Sequence, residues 1–128
     1  MAATVTTTLQ LNGTKLFTAK IDILGDVAGD TAALTIIDPA NLTGTPSTFK
    51  IRAIQWDLDG TFTCQLLWDA TTDVHAYELG LASGAKRFAD TGVHLVNNAG
   101  SGITGKLLLT TLGLTTGGKG TIIIEGQH

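Results

Sequence analysis

The chain has 128 residues, of which 15% are charged, and a formal net charge of −3 at pH 7. Because its basic residues are few and unclustered, it lacks the electrostatic signature of a protein that binds nucleic acid or an anionic membrane. A chain of this length can bury a hydrophobic core as one domain without metals or disulfides. Glycine and threonine are abundant and proline is scarce, which favours an all-β domain with many turns.

The N-terminal residues and the cysteine content bear on the cellular compartment. Residues 1–8 contain neither a charged region nor a continuous apolar run, so no secretory signal is expected. No apolar run is long enough to cross a bilayer. Cys64 is the only cysteine, which excludes an intramolecular disulfide, and its apolar neighbours predict a buried thiol. We therefore expect synthesis in a reducing cytoplasm.

The first third of the chain predicts three strands. Residues 4–11 and 15–24 alternate between apolar and polar side chains, and Asn12-Gly13 between them favours a hairpin. Residues 32–37 form a third predicted strand, whose apolar run predicts cover on both faces. Residues 38–47 contain both prolines and are predicted to form a long loop.

Residues 49–69 predict a second hairpin that carries both tryptophans. A type I turn at residues 58–60, with a glycine bulge, places Trp56 opposite Phe62 and extends the same apolar face to Trp68. A plain two-residue turn would divide these aromatic residues between the two faces, so the pattern favours the bulged turn. The indoles are then expected in the core rather than on an exposed platform for sugars.

The second half predicts further short strands. Residues 74–79 alternate, whereas residues 80–92 lose the period and are compatible with a helical turn over 85–89. Residues 106–111 and 121–125 predict a third hairpin with a glycine-rich connection. Seven or eight short strands indicate an antiparallel β-sandwich or a jelly-roll-like barrel. We expect one domain over residues 1–128, with residues 1–12 as a candidate arm or exchanged strand.

Two glycine-rich segments match phosphate-binding patterns by letter only. A strand follows residues 100–105 and residues 113–119, whereas a phosphate site requires the N-terminus of a helix. The three histidines are far apart in sequence, and the Asp57-Leu58-Asp59-Gly60 segment lacks the remaining oxygen ligands of a calcium loop. Neither a cofactor site nor a metal site is therefore predicted.

Four carboxylates are candidates for a glycosidase pair. Nothing in the sequence fixes any two of them across a substrate, as such a reaction would require. The four are Asp57, Asp69, Asp73 and Glu78. The sequence therefore predicts no catalytic residue and a protein that is not an enzyme.

Four segments resemble small virion proteins of tailed bacteriophages. They are residues 55–60 (QWDLDG), 67–73 (LWDATTD), 104–113 (TGKLLLTTLG) and 120–125 (GTIIIE). In those proteins a strand ending in Trp-Asp and a Thr-Thr-Asp turn likewise precede a glycine-flanked aliphatic strand, a glycine-rich turn and a terminal strand. The similarity spans about the last two-thirds of the chain.

The resemblance implies a β-sandwich capsid decoration or cement protein, located on the virion surface after synthesis in the host cytoplasm. Its partner would be the major capsid protein, and we expect a homo-oligomer, with a trimer as the first expectation. The loop of residues 38–47 or the N-terminal strand is the expected contact region. A carbohydrate-binding or adhesion module, on a virion or tail, is the alternative.

Overall fold

The computed structural model describes residues 4–25, 30–59, 61–80, 82–88 and 94–128. In these residues nine strands form a β-sandwich that is not closed into a barrel. The strands are β1 (Thr4–Asn12), β2 (Leu16–Leu24), β3 (Leu34–Ile37), β4 (Lys50–Leu58), β5 (Thr63–Trp68), β6 (Val74–Leu79), β7 (Ser83–Arg87), β8 (Leu107–Leu112) and β9 (Lys119–Gln127). One antiparallel sheet has the order β1-β2-β9-β4-β7 and the other β3-β8-β5-β6.

The predicted N-terminal hairpin is confirmed. β1 and β2 pair in antiparallel register from Thr4 opposite Leu24 to Asn12 opposite Phe17. Alternate residues of β2 face the core, and these are Phe17, Ala19, Ile21 and Ile23. Residues 4–12 thus pair with a strand of their own chain, and an exchange of this segment between copies stays a prediction.

The other two predicted hairpins are wrong. β4 lies between β9 and β7 in the five-stranded sheet, whereas β5 lies between β8 and β6 in the four-stranded sheet. β8 and β9 are likewise divided between the sheets. The apolar faces of each predicted pair therefore meet across the sandwich instead of lying side by side in one ladder. Gly60, the predicted bulge, lies outside the described residues.

The predicted burial of the tryptophans is nevertheless confirmed. Trp56 is 7% exposed and Trp68 is fully buried. The ring of Phe49 makes edge-to-face contacts with Phe17 at 5.1 Å and with Trp68 at 5.5 Å between centroids. Trp56 contacts Tyr77 on the facing sheet at 6.2 Å. Aromatic rings from both sheets therefore form one shared core.

The structure has a strand, β7, in the segment whose sequence is compatible with a helical turn. Its Gly84 lies opposite Trp56, and a Cβ atom at Gly84 would lie 2.5 Å from the indole ring. Trp56 therefore occupies the space that a side chain at position 84 would need. Residues 93–96, whose sequence pattern is too short to assign, include Leu95, which forms an isolated bridge with Ile51, and Val93, which lies outside the described residues.

β3 begins two residues later than predicted and forms an edge of its sheet. Its predicted cover on both faces holds only for the second half of the strand. Ile36 and Ile37 are buried, whereas Leu34 is 38% exposed. The predicted loop after it contains a 3-10 helix, Pro39–Asn41, whose first turn is capped by Asp38 through the amide of Ala40 at 3.0 Å.

Candidate interaction surface

The two ends of the sandwich differ in how the chain closes them. One end, here called the loop end, is formed by the β1–β2 turn and by residues 38–47, 70–73 and 94–104. At the other, the corner end, residues 58–59, 61–63 and 112–119 lie where the chain passes from one sheet to the other. Both ends are held by side chains that accept or donate hydrogen bonds over long sequence separations.

Asn12 attaches the loop of residues 38–47 to the first hairpin. Its side-chain oxygen accepts a hydrogen bond from the Thr43 amide at 2.8 Å, and its amide nitrogen donates to the Asn41 carbonyl at 3.2 Å. The Thr43 hydroxyl donates in turn to the Asn12 carbonyl at 2.8 Å. The predicted contact loop therefore has a fixed position relative to the sheet.

Asp69 and Thr71 order the rest of the loop end. The Asp69 carboxylate accepts a hydrogen bond from the Thr104 hydroxyl at 2.6 Å, and the Thr71 amide donates to the Ser101 carbonyl at 3.1 Å. Gly102 has a φ of 76°, and a Cβ atom there would overlap the Thr71 hydroxyl. The strand β8 follows residues 100–105, as predicted, and no helix begins there, but Gly102 is tightly packed where a flexible loop was expected.

The loop end exposes apolar side chains on this ordered framework. Leu11 is 51% exposed, Leu16 39%, Val96 48% and Ile103 42%. Ordered apolar groups lose little conformational entropy when a partner covers them, which favours protein–protein contact. We regard the loop end as the candidate interaction surface.

Asp30 closes the corner end. Its carboxylate accepts hydrogen bonds from the Leu114 amide at 2.8 Å, the Gly113 amide at 3.2 Å and the Thr111 hydroxyl at 3.1 Å. These bonds, led by that from Leu114, lower the pKa of Asp30 against a smaller opposing effect of desolvation. The carboxylate therefore holds the crossing segment after β8 in place.

Asp59 has the same function at the neighbouring crossing. It accepts hydrogen bonds from the Thr61 hydroxyl at 2.6 Å, the Thr61 amide at 3.0 Å and the Lys119 amide at 2.9 Å. The bonds from Thr61 lower the pKa of Asp59 most. The sequence predicted Asp59 as a turn former but did not reveal its bond to Lys119, or any of the partners of Asn12 and Asp30, because these partners are distant along the chain.

An open groove of about 560 Å³ lies beside the corner end and is bordered by Asp22, Asp57, Asp59, Lys119 and Thr121. In the part of the chain that the structure describes, no three histidine, cysteine or acidic side chains form a group that could hold a metal ion.

One of the four candidate carboxylates lies in each sheet, and the other two lie in the connection between β5 and β6. Asp57 belongs to β4, whereas Glu78 is in β6 and pairs with His75 at 3.2 Å. Asp69 bonds Thr104, and Asp73 accepts from the Ala70 amide at 3.2 Å. Asp57 therefore does not share a face with the other three.

The predicted burial of Cys64 is confirmed. Desolvation, assisted by the charges of Glu78 and Asp30, raises the pKa of its thiol to about 12. Since the thiolate is the nucleophilic form, this cysteine is held in its unreactive state at neutral pH.

Comparisons with protein-family models, curated proteins and solved structures find no match to this chain. Within the described residues, no helix has the length and hydrophobicity needed to span a membrane. The resemblance to phage virion proteins therefore stays a prediction, and the described geometry defines only the class of the fold, an antiparallel β-sandwich.

Proposed function

We propose that this chain is a non-enzymatic structural protein of a tailed-phage particle that decorates the outer capsid shell. The shell contact would be made with the major capsid protein, and the chain would act as a cement between neighbouring shell subunits. The proposal rests on the segment resemblance together with the ordered, apolar loop end.

The loop end is the observation that carries the proposal. A protein that stabilises a lattice binds through many weak contacts spread over a preformed surface rather than through one reactive pocket. Ile103 lies between Ser101 and Thr104, which are bonded to Thr71 and Asp69, and Val96 follows Leu95, whose backbone is bonded to that of Ile51, so the exposure of both side chains is built into the fold. The location on the particle surface follows from the same proposal.

The direct test is the copy number of this protein in purified particles, measured by quantitative mass spectrometry against the major shell protein. We expect a ratio within a few-fold of one. A handful of copies per particle would assign the protein to the portal or tail, and its absence from the particle would overturn the proposal.

A second test locates the contact. Ile103→Asp places a charge at the loop end, where Ile103 is 42% exposed, and is expected to reduce binding to shells that lack the protein by tenfold or more, because an uncompensated charge would be buried. Leu112→Asp is the matched control at the corner end, where Leu112 is 55% exposed. Equal binding by both variants would contradict the assignment of the loop end.

A further inference from the structure

Strand β1 forms one edge of the five-stranded sheet, and no strand pairs with its outer side within the described residues. Its nine residues contain neither a charged side chain nor a proline. Proteins usually block sheet edges with charges, prolines, bulges or short strands, because unpaired backbone groups can pair with another chain. The single bulge of β1 falls between Leu9 and Leu11, which leaves residues 4–9 regular.

The other three edge strands are protected. β3 has four residues, and the Ile36 carbonyl on it accepts a hydrogen bond from the Thr7 hydroxyl at 2.7 Å. β6 has a bulge in its pairing with β5 and carries Glu78. β7 ends in the cations Lys86 and Arg87. β1 is therefore the longest and least protected edge of the described sandwich.

We propose that β1 pairs with β1 of a second copy of this chain, in antiparallel register about a two-fold axis at Thr7. In this register Val5 faces Leu9 of the second copy, and Thr6 faces Thr8. Val5 and Leu9 are only partly buried and pack against the core from the inner face of β1. The pairing covers them further while the threonines of the outer face meet one another.

The two-fold arrangement is self-limiting. Each copy has one β1, so a single pairing uses the unprotected edge of both copies and joins the two five-stranded sheets edge to edge. An isologous contact of this kind closes at two copies and does not propagate into a fibre. The inference concerns the isolated chain and is independent of the proposed capsid function.

Sedimentation equilibrium of the purified chain over a wide concentration range tests the stoichiometry. We expect a reversible equilibrium between one and two copies. A chain that stays monomeric at its highest soluble concentration would overturn the inference, and so would a mass of three copies, which would instead support a trimer.

Charge substitutions test the register. Thr6→Lys with Thr8→Lys opposes like charges at two symmetry-related contacts and is expected to weaken dimerisation about tenfold. Thr6→Glu with Thr8→Glu is expected to do the same. Within one chain Thr6 lies opposite Asp22 and Thr8 opposite Lys20, so the two variants strain the β1–β2 pair at different positions. If both variants lose the dimer, fraying of the β1–β2 pair at Thr6 alone or at Thr8 alone does not explain the loss.

The matched control is Thr6→Lys with Thr8→Glu, which places opposite charges across the proposed two-fold axis. This variant is expected to dimerise at least as well as the unmodified chain, and mixing the double-lysine and double-glutamate variants is expected to restore dimers. Circular dichroism verifies that each variant retains its strands. If the double-lysine and double-glutamate variants still dimerise, or if the mixed-charge variant does not, the proposed pairing is wrong.

Discussion

Asp30 shows how a single carboxylate can hold two distant segments together. It precedes β3 in sequence, yet its partners are Thr111, Gly113 and Leu114. A sequence pattern can predict that an aspartate will form a turn, since that involves its neighbours, but it does not reveal a hydrogen bond over about eighty residues. Such partners are fixed only when the sheets have packed.

We expect Asp30→Ala to lower the free energy of unfolding at neutral pH by about 1 kcal/mol, a value that allows for screening by solvent at this exposed site. The folded pKa of Asp30 lies below the ordinary value of 3.8. Its stabilisation is therefore complete above pH 3.8 and is lost as the pH falls through the folded pKa. Urea unfolding of both proteins at neutral pH and below pH 3.8 measures the difference, which should shrink in acid.

Asp22→Asn is the control for this experiment. The Asp22 carboxylate accepts one long hydrogen bond, from the Thr121 hydroxyl at 3.3 Å, and lies 3.7 Å from the Lys20 amine. If Asp22→Asn lowered the free energy of unfolding as much as Asp30→Ala does, the effect of Asp30→Ala would not be due to its lost bonds with the amides of Gly113 and Leu114.

The two tryptophans bear on the carbohydrate-binding alternative. Because Trp56 and Trp68 are buried, sugars cannot stack on either indole in the folded chain. We expect soluble mono- and oligosaccharides to leave the tryptophan emission unchanged and acrylamide to quench it weakly until the chain is unfolded. A saturable change in emission with one sugar would favour the binding module over the capsid protein.

At the scale of the strands, the alternation of apolar and polar residues predicted well which side of a strand is buried, and predicted poorly which strands pair. The buried faces of β2, of β5 and of β4 from Ile54 onwards are as expected, because the apolar side of a strand must be buried whichever strand lies beside it. A bulge in β4 between Ile51 and Ala53 interrupts the alternation, and both of these residues are buried as well. Alternation does not distinguish a neighbour in the same sheet from a strand in the facing sheet. The β1–β2 hairpin was predictable because Asn12-Gly13 marks a turn between two alternating segments, although the chain turns over residues 13–15 and not at this dipeptide alone. The connections after β4 and β8, by contrast, change sheets.

Glycines within strands mark places where an aromatic ring occupies the space of a side chain. A Cβ atom at Gly126 in β9 would overlap the ring of Phe17 in β2. We expect Gly126→Ala to lower the free energy of unfolding by about 1–3 kcal/mol through overpacking. Thermal or urea unfolding measures this loss. Gly100→Ala is the control, since a Cβ atom there would meet nothing within 4 Å beyond its chain neighbours, and it should have little effect.

At the scale of the whole molecule, the core belongs to both sheets at once. Aromatic contacts run from Phe17 in one sheet through Phe49 to Trp68 in the other. Neither sheet can bury its apolar face without the other sheet. The composition and the strand pattern therefore predict the fold class. The order of the strands, by contrast, depends on where the chain crosses between the sheets.

A shared core predicts one cooperative unfolding transition. Tryptophan emission, which reports on the space between the sheets, and far-ultraviolet circular dichroism, which reports on the strands, should give the same midpoint in urea. Different midpoints would show that one sheet persists after the other is lost, and would contradict the prediction of a single domain.

The anchoring of Asn12 also affects how the protein ages chemically. Asparagine followed by glycine deamidates readily when the glycine nitrogen can attack the side-chain carbonyl carbon and release ammonia. Here Gly13 donates its amide to the Leu16 carbonyl at 2.9 Å, and both side-chain polar atoms of Asn12 are bonded to the loop of residues 41–43. Cyclisation requires this turn to open, so isoaspartate at position 12 would accumulate in proportion to the time a chain has spent with its first hairpin loosened.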